Sequence, residues 1–103
     1  MTKIVYNACY GGFSLSPEAV RRGKALSNDE SWQSLDEKYG FFNGPRHDST
    51  LVKVVEELGD AANGICAKLR IDEVPSGTPY RIDEYDGIES VMTSDAYDWT
   101  IAP

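Results

Sequence analysis

The chain has 103 residues, 41% of them hydrophobic and 11% aromatic, and a formal net charge of −7. That length supports one modest core and excludes two domains, and the apolar content excludes a disordered chain because enough surface can be buried to offset the ordering entropy. Residues 1 to 71 hold nine acids and nine bases, whereas residues 72 to 103 hold eight acids and the single base Arg81, which argues against nucleic-acid or membrane phosphates as direct partners of the last third and favours a basic protein surface.

No apolar run is long enough to cross a bilayer, and Met1-Thr2-Lys3-Ile4-Val5-Tyr6 enters strand-like alternation at once, so the chain is expected to stay where it is made. Lys3 to Cys9 is rich in β-formers and reads as a strand ended by Gly11-Gly12. Ser16 is then a good N-cap with Pro17 at the first helical position and Glu18 in the first turn, predicting a helix from Pro17 to Leu26 with Leu15 and Val20 as a hydrophobic staple. Residues 27 to 47 read as one long irregular connection, in which Trp32 and Leu35 could continue a short helix and Gly40 to Pro45 breaks it.

Leu51, Val55, Leu58 and Ala62 recur at helical spacing, widened by Val52, and predict an amphipathic core helix over Asp48 to Asn63. Asn63-Gly64 is expected to form its left-handed cap, with Ile65 folding back on the last turn. Ala67 to Val74 and Tyr80 to Tyr85 alternate as strands, and the turn Pro75 to Pro79 between them makes an antiparallel hairpin the simplest assembly. Asp86-Gly87-Ile88-Glu89 reads two ways. As a hairpin turn it would set Glu84 opposite Glu89, a like-charge pair; as a capping box it starts a short helix with Ile88, Val91 and Met92 on one face, which is the preferred expectation. Tyr97, Trp99 and Ile101 at spacing two suggest an edge strand or a loosely docked tail. The fold expected is a single α+β domain over residues 1 to 103, a small three-stranded, mostly antiparallel sheet packed by one or two helices.

Three places could carry chemistry. Gly11, Gly12, Ser14 and Ser16 join a strand to a helix N-terminus, where backbone N–H groups and the helix dipole can hold a phosphate, although the Lys-Ser/Thr ending of a P-loop and the three-glycine dinucleotide spacing are absent; a tight turn with close packing of the following helix is the favoured explanation of the glycines. Cys9 and His47 could form a nucleophile and base, but nothing in the sequence brings them together, and two cysteines with one histidine lack metal-ligand spacing. Free buried thiols are therefore expected at Cys9 and Cys66, with no catalytic residues, no cofactor and no metal. Asp83, Glu84, Asp86 and Glu89 crowd together with Tyr85, which reads as a solvated acidic rim or, with its aromatics, as a protein-binding surface.

The stretches Tyr6-Asn7-Ala8-Cys9-Tyr10-Gly11-Gly12-Phe13-Ser14-Leu15-Ser16 with Glu18-Ala19-Val20, Pro45-Arg46-His47-Asp48 through Leu51 to Gly59 and on to Ala62-Asn63-Gly64, and Ala67 to Ile71 with Ile82-Asp83-Glu84-Tyr85-Asp86-Gly87-Ile88-Glu89-Ser90-Val91 resemble, in that order, a family of small proteins of tailed bacteriophages and prophages. The chain differs from that pattern by a shorter middle segment and by lacking a basic, aromatic ending. The resemblance implies a phage origin and a host-cytoplasm setting and brings no activity with it. Small acidic phage proteins commonly act by blocking a host protein. The expectation is accordingly an inhibitor or modulator of a host factor with a basic, nucleic-acid-binding surface, such as a CRISPR effector, that uses Asp83, Glu84, Tyr85, Asp86 and Glu89. The alternative is a nucleotide or phosphate binder using Gly11, Gly12, Ser14 and Ser16.

Overall fold

A computed structural model describes residues 1–38 and 40–93. The elements in chain order are β1 (Thr2–Asn7), α1 (Pro17–Leu26), α2 (Glu30–Gln33), α3 (Ser49–Leu58) followed by a 3₁₀ turn (Gly59–Ala62), β2 (Leu69–Val74), β3 (Tyr80–Tyr85) and β4 (Ile88–Thr93). The expected edge strand around Tyr97, Trp99 and Ile101 lies outside the described residues. No described helix is long and apolar enough to cross a membrane.

The α+β class holds, but the sheet is different from the three-stranded one expected. β1 pairs antiparallel with β2 from Thr2↔Val74 to Asn7↔Leu69, and β3 pairs with β4 from Tyr80↔Thr93 to Tyr85↔Ile88, giving two separate two-stranded ribbons. β2 and β3 do not close a hairpin. Thr78 N–H donates to the Pro75 carbonyl at 3.1 Å in a tight turn with Gly77 at φ 88°, and Pro79 leads from that turn into β3.

The expected helix at Asp86 to Glu89 is also corrected, because Asp86 (φ 50°) and Gly87 (φ 88°) both adopt left-handed conformations and form the two-residue hairpin turn whose twist matches the flanking strands. Glu84 does stand opposite Glu89. The repulsion that argued against this register is relieved because the Glu89 side chain, only 6% exposed, turns into the body and meets the Arg46 guanidinium. Arg46 lies 43 positions away in sequence, so local reasoning could not see the compensation.

The helices follow their sequence signals closely. α1 spans Pro17–Leu26 as expected, with the Ala19 N–H donating to the Ser16 hydroxyl at the cap. α3 is capped by Asp48, which accepts the Leu51 N–H at 2.9 Å, and it buries Leu51, Val54 and Val55. Its end differs from expectation. The left-handed residue is Gly59 (φ 56°), Asn63 is extended, and Ile65 is 85% exposed instead of folding back. Gly59 admits a conformation that Asn63 would hold only under strain, so the chain leaves the α-helix one turn earlier.

Within the irregular middle segment, α2 is a single turn that delivers Trp32 to the core. Its indole is fully buried, stacks at 4.8 Å from Phe42, and lies directly against Gly23 of α1, where a β-carbon would strike the ring. That contact explains a glycine inside a helix, which by itself costs about 0.5–1 kcal/mol relative to alanine. Around Trp32 the core gathers Val5, Leu15, Val20, Leu51, Val54 and Leu69.

Candidate functional site

In the Gly11-Gly12 loop, Gly11 is a packing position. A β-carbon on Gly11 would run into the backbone and Cβ of Cys66, whereas one on Gly12 would meet open space, and Gly12 serves instead by its φ of +89°. Beyond the loop, residues 14 to 16 are threaded between two neighbouring segments: Leu15 N–H donates to the Gly40 carbonyl (2.8 Å), Gly64 N–H to the Ser14 carbonyl (3.0 Å) and Ser16 N–H to the Ala62 carbonyl (2.9 Å). The Ser16 hydroxyl donates to the Ala61 carbonyl at 2.6 Å while accepting from Ala19. With Ser16 committed on both its groups and Pro17 lacking an N–H, the first turn of α1 offers a phosphate few donors.

The acidic set divides. Glu89 leaves it, since its carboxylate accepts two bonds from Arg46 (2.6 and 2.9 Å) and one from the Asn7 N–H (2.9 Å). Asp83 is half-buried beside Arg81 at 2.9 Å. Glu84, Tyr85 and Asp86 remain at the exposed hairpin tip, with Tyr85 73% exposed.

Asn7 is the residue that fastens this hairpin. It is fully buried, and its side-chain amide donates to the carbonyls of Cys9 (2.6 Å) and Gly87 (2.8 Å), while its Oδ1 accepts the Lys68 N–H (2.8 Å). One side chain thereby joins β1, the glycine loop, the approach to β2 and the hairpin turn. Asparagine is depleted from strands, so its place at the end of an apolar run was the available sequence signal.

The cysteine–histidine pair, which nothing in the sequence brought together, is not assembled. His47 Nδ1 is 2.6 Å from the Tyr80 hydroxyl and shares a shallow hollow with Thr2 at the start of β1, whereas Cys9 follows the far end of that strand. Burial raises the Tyr80 phenol above its ordinary range, opposed in part by His47 and Arg46. Among the described residues no three His, Cys, Asp or Glu side chains come together as a bound cation would require. The thiols are less buried than expected. Cys9 is half-buried, and Cys66 is exposed with a left-handed φ of 64° in the turn closed by Ala67 N–H donating to the Gly64 carbonyl.

What sequence reasoning missed is an apolar face. Of the five exposed large hydrophobic residues among those described, four are Tyr10, Phe41, Ile65 and Tyr85, and their segments meet. The backbone of Gly87, beyond Tyr85 and Asp86, abuts the Tyr10 carbonyl; Gly11 abuts Cys66; and Gly11, Phe41, Ile65 and Cys66 line one hollow of about 530 Å³. The Phe41-Phe42 pair shows why this was hidden: Phe42 is buried on Trp32 and Phe41 is exposed, and no periodicity distinguishes them. Glu84 and Asp86 are exposed on the hairpin whose turn meets the Tyr10 to Gly12 loop.

Comparison of the chain with protein families, curated proteins and solved structures finds no match in any of the three.

Proposed function

We propose that the chain is a non-catalytic protein-binding module, encoded by a phage, that presses the face around Tyr10, Phe41, Ile65 and Tyr85 against a host protein in the host cytoplasm and blocks it. The observation that carries this reading is a hollow lined by the exposed Phe41 and Ile65 on one side of the Gly11 loop, while the turn of the hairpin that carries the exposed Tyr85 and Asp86 meets Tyr10 and Gly12 of the same loop. Single exposed apolar residues are ordinary, but a contiguous group with a polar rim has the make-up of an interface core. The acidic rim favours a target with a basic surface, such as a nucleic-acid-handling defence complex of the CRISPR effector kind. The phage origin rests on the resemblance of residues 6–20, 45–64, 67–71 and 82–91 to small phage proteins.

Compared with the sequence expectation, the contact set exchanges Asp83 and Glu89 for Tyr10, Phe41 and Ile65, and it relies less on charge. The test is affinity capture of the tagged chain from host cells at low and moderate salt, read by mass spectrometry, alongside a Glu84→Lys, Asp86→Lys variant. A single host protein retained at low salt, weakened at moderate salt and lost by the charge-reversed variant is expected. A partner held equally by both proteins, or no partner at all, would contradict the reading.

A further inference from the structure

We propose that the hollow beside the glycine loop seats one large apolar side chain from a short partner segment, and that this segment carries Lys or Arg toward the β3–β4 turn. The inference rests on the protein-binding reading above and adds the chemistry of what is bound.

The hollow is built before any partner arrives. Its walls include Gly11, Leu15, Gly40 and Gly64. Their backbones are fixed by the bonds from Leu15 to Gly40 and from Gly64 to Ser14, and by the packing of Gly11 on Cys66. Walls of bonded, tightly packed backbone cannot collapse to fill the space, so occupancy costs little rearrangement. The volume of about 530 Å³ falls in the range that admits an organic group of substantial size. Phe41 and Ile65 stand at its edge, 60% and 85% exposed, where an entering side chain would cover both and exclude water from them, the arrangement that makes a binding anchor.

Charge fixes the orientation. The turn residue Gly87 touches Tyr10 and Gly12 on the other side of the same loop whose Gly11 lines the hollow, so Glu84 and Asp86 stand on the hairpin side of the anchor. The Ser16 hydroxyl and N–H are both committed, so this residue offers a phosphate no donor. A second copy docking hairpin to hairpin would set like charges together.

The test selects random 12-residue displayed peptides on the intact chain and measures the affinity of synthetic copies for it and for two variants. Ile65→Asp alters an 85% exposed side chain, and Glu84→Gln with Asp86→Asn removes charge while keeping a residue that tolerates the left-handed turn. Expected are peptides pairing Phe, Leu, Met or Trp with nearby Lys or Arg, weakened at least about tenfold by Ile65→Asp and roughly two- to fivefold by the neutralised hairpin at low salt. Peptides that require Ile65 but lack basic residues and ignore the neutralised hairpin would overturn this inference and leave the protein-binding face standing. No enriched peptide, or peptides indifferent to Ile65→Asp, would overturn both.

Discussion

Arg46 closes the outer edge of β1 twice, and the second closure passes through Glu89. Its carbonyl accepts the outward N–H of Val5 at 2.9 Å, and its guanidinium grips the carboxylate of Glu89, which accepts the next outward N–H of the strand, that of Asn7. An open strand edge invites pairing with other chains, and here one residue and its ion partner cover it. The same guanidinium lies 3.6 Å over the Phe13 ring, which fixes the loop after Gly12 as well.

Removing one member of this pair should strand the other in a poorly hydrated place. Arg46→Ala and Glu89→Ala are each expected to lower stability by about 3–5 kcal/mol, whereas the double replacement Arg46→Met, Glu89→Leu should cost much less than the sum of the two single changes. Urea denaturation followed by circular dichroism measures all of these. Additive losses would show that the pair acts independently and that the hairpin is held by other contacts.

The two adjacent glycines should respond unequally. Alanine at Gly12 meets nothing within 4 Å and suffers only its positive φ, an expected loss of about 1–2 kcal/mol. Alanine at Gly11 collides with the Cys66 backbone, which no side-chain rotation relieves, and should cost about 3 kcal/mol. Thermal melts of the two variants decide it, and equal losses would contradict the packing described.

Trp32 joins the middle segment to α3, since its indole N–H donates at 3.1 Å to the Asp48 carboxylate that also caps α3. Trp32→Phe should therefore cost about 1–2 kcal/mol through the lost bond and volume, and Trp32→Ala about 3–5 kcal/mol. A neutral Trp32→Ala, read by the same denaturation, would remove this residue from the centre of the core.

Tyr80 supplies a pH dependence. Burial raises its phenol in the folded protein, so between the unfolded and folded values the native state holds the proton that the unfolded chain has released. Its contribution is intact below the ordinary value of 10.0 and is lost as pH rises beyond it. The stability of the wild-type chain should fall more steeply above about pH 10 than that of Tyr80→Phe. Parallel curves would place the phenol in water.

Local signals carried much of this fold into view. The Ser16 cap with Pro17 and the Leu51 stripe sufficed for α1 and α3 because caps and helical periodicity act within one or two turns. The pairing of strands was hidden for the opposite reason. Choosing β1 over β3 as the partner of β2 depended on pairing between segments far apart in sequence, and a hairpin over a helix at Asp86 depended on the Arg46 charge delivered from another segment. The acidic tip at Glu84 to Asp86 was legible in composition; the apolar face was not, because Tyr10, Phe41 and Ile65 become neighbours only when Gly11 packs on Cys66 and the strands have brought their loops together.

The most direct test of the proposed face is site-specific photo-crosslinking in host cells, with a benzophenone amino acid placed at Tyr85 and, as control, at Lys53, an exposed position on α3 that lines a separate shallow hollow with Met1 and Lys3. The proposed reading predicts one host protein joined through position 85 and absent through position 53. Adducts of equal yield from both positions, or none from position 85 while position 53 gives one, would contradict it.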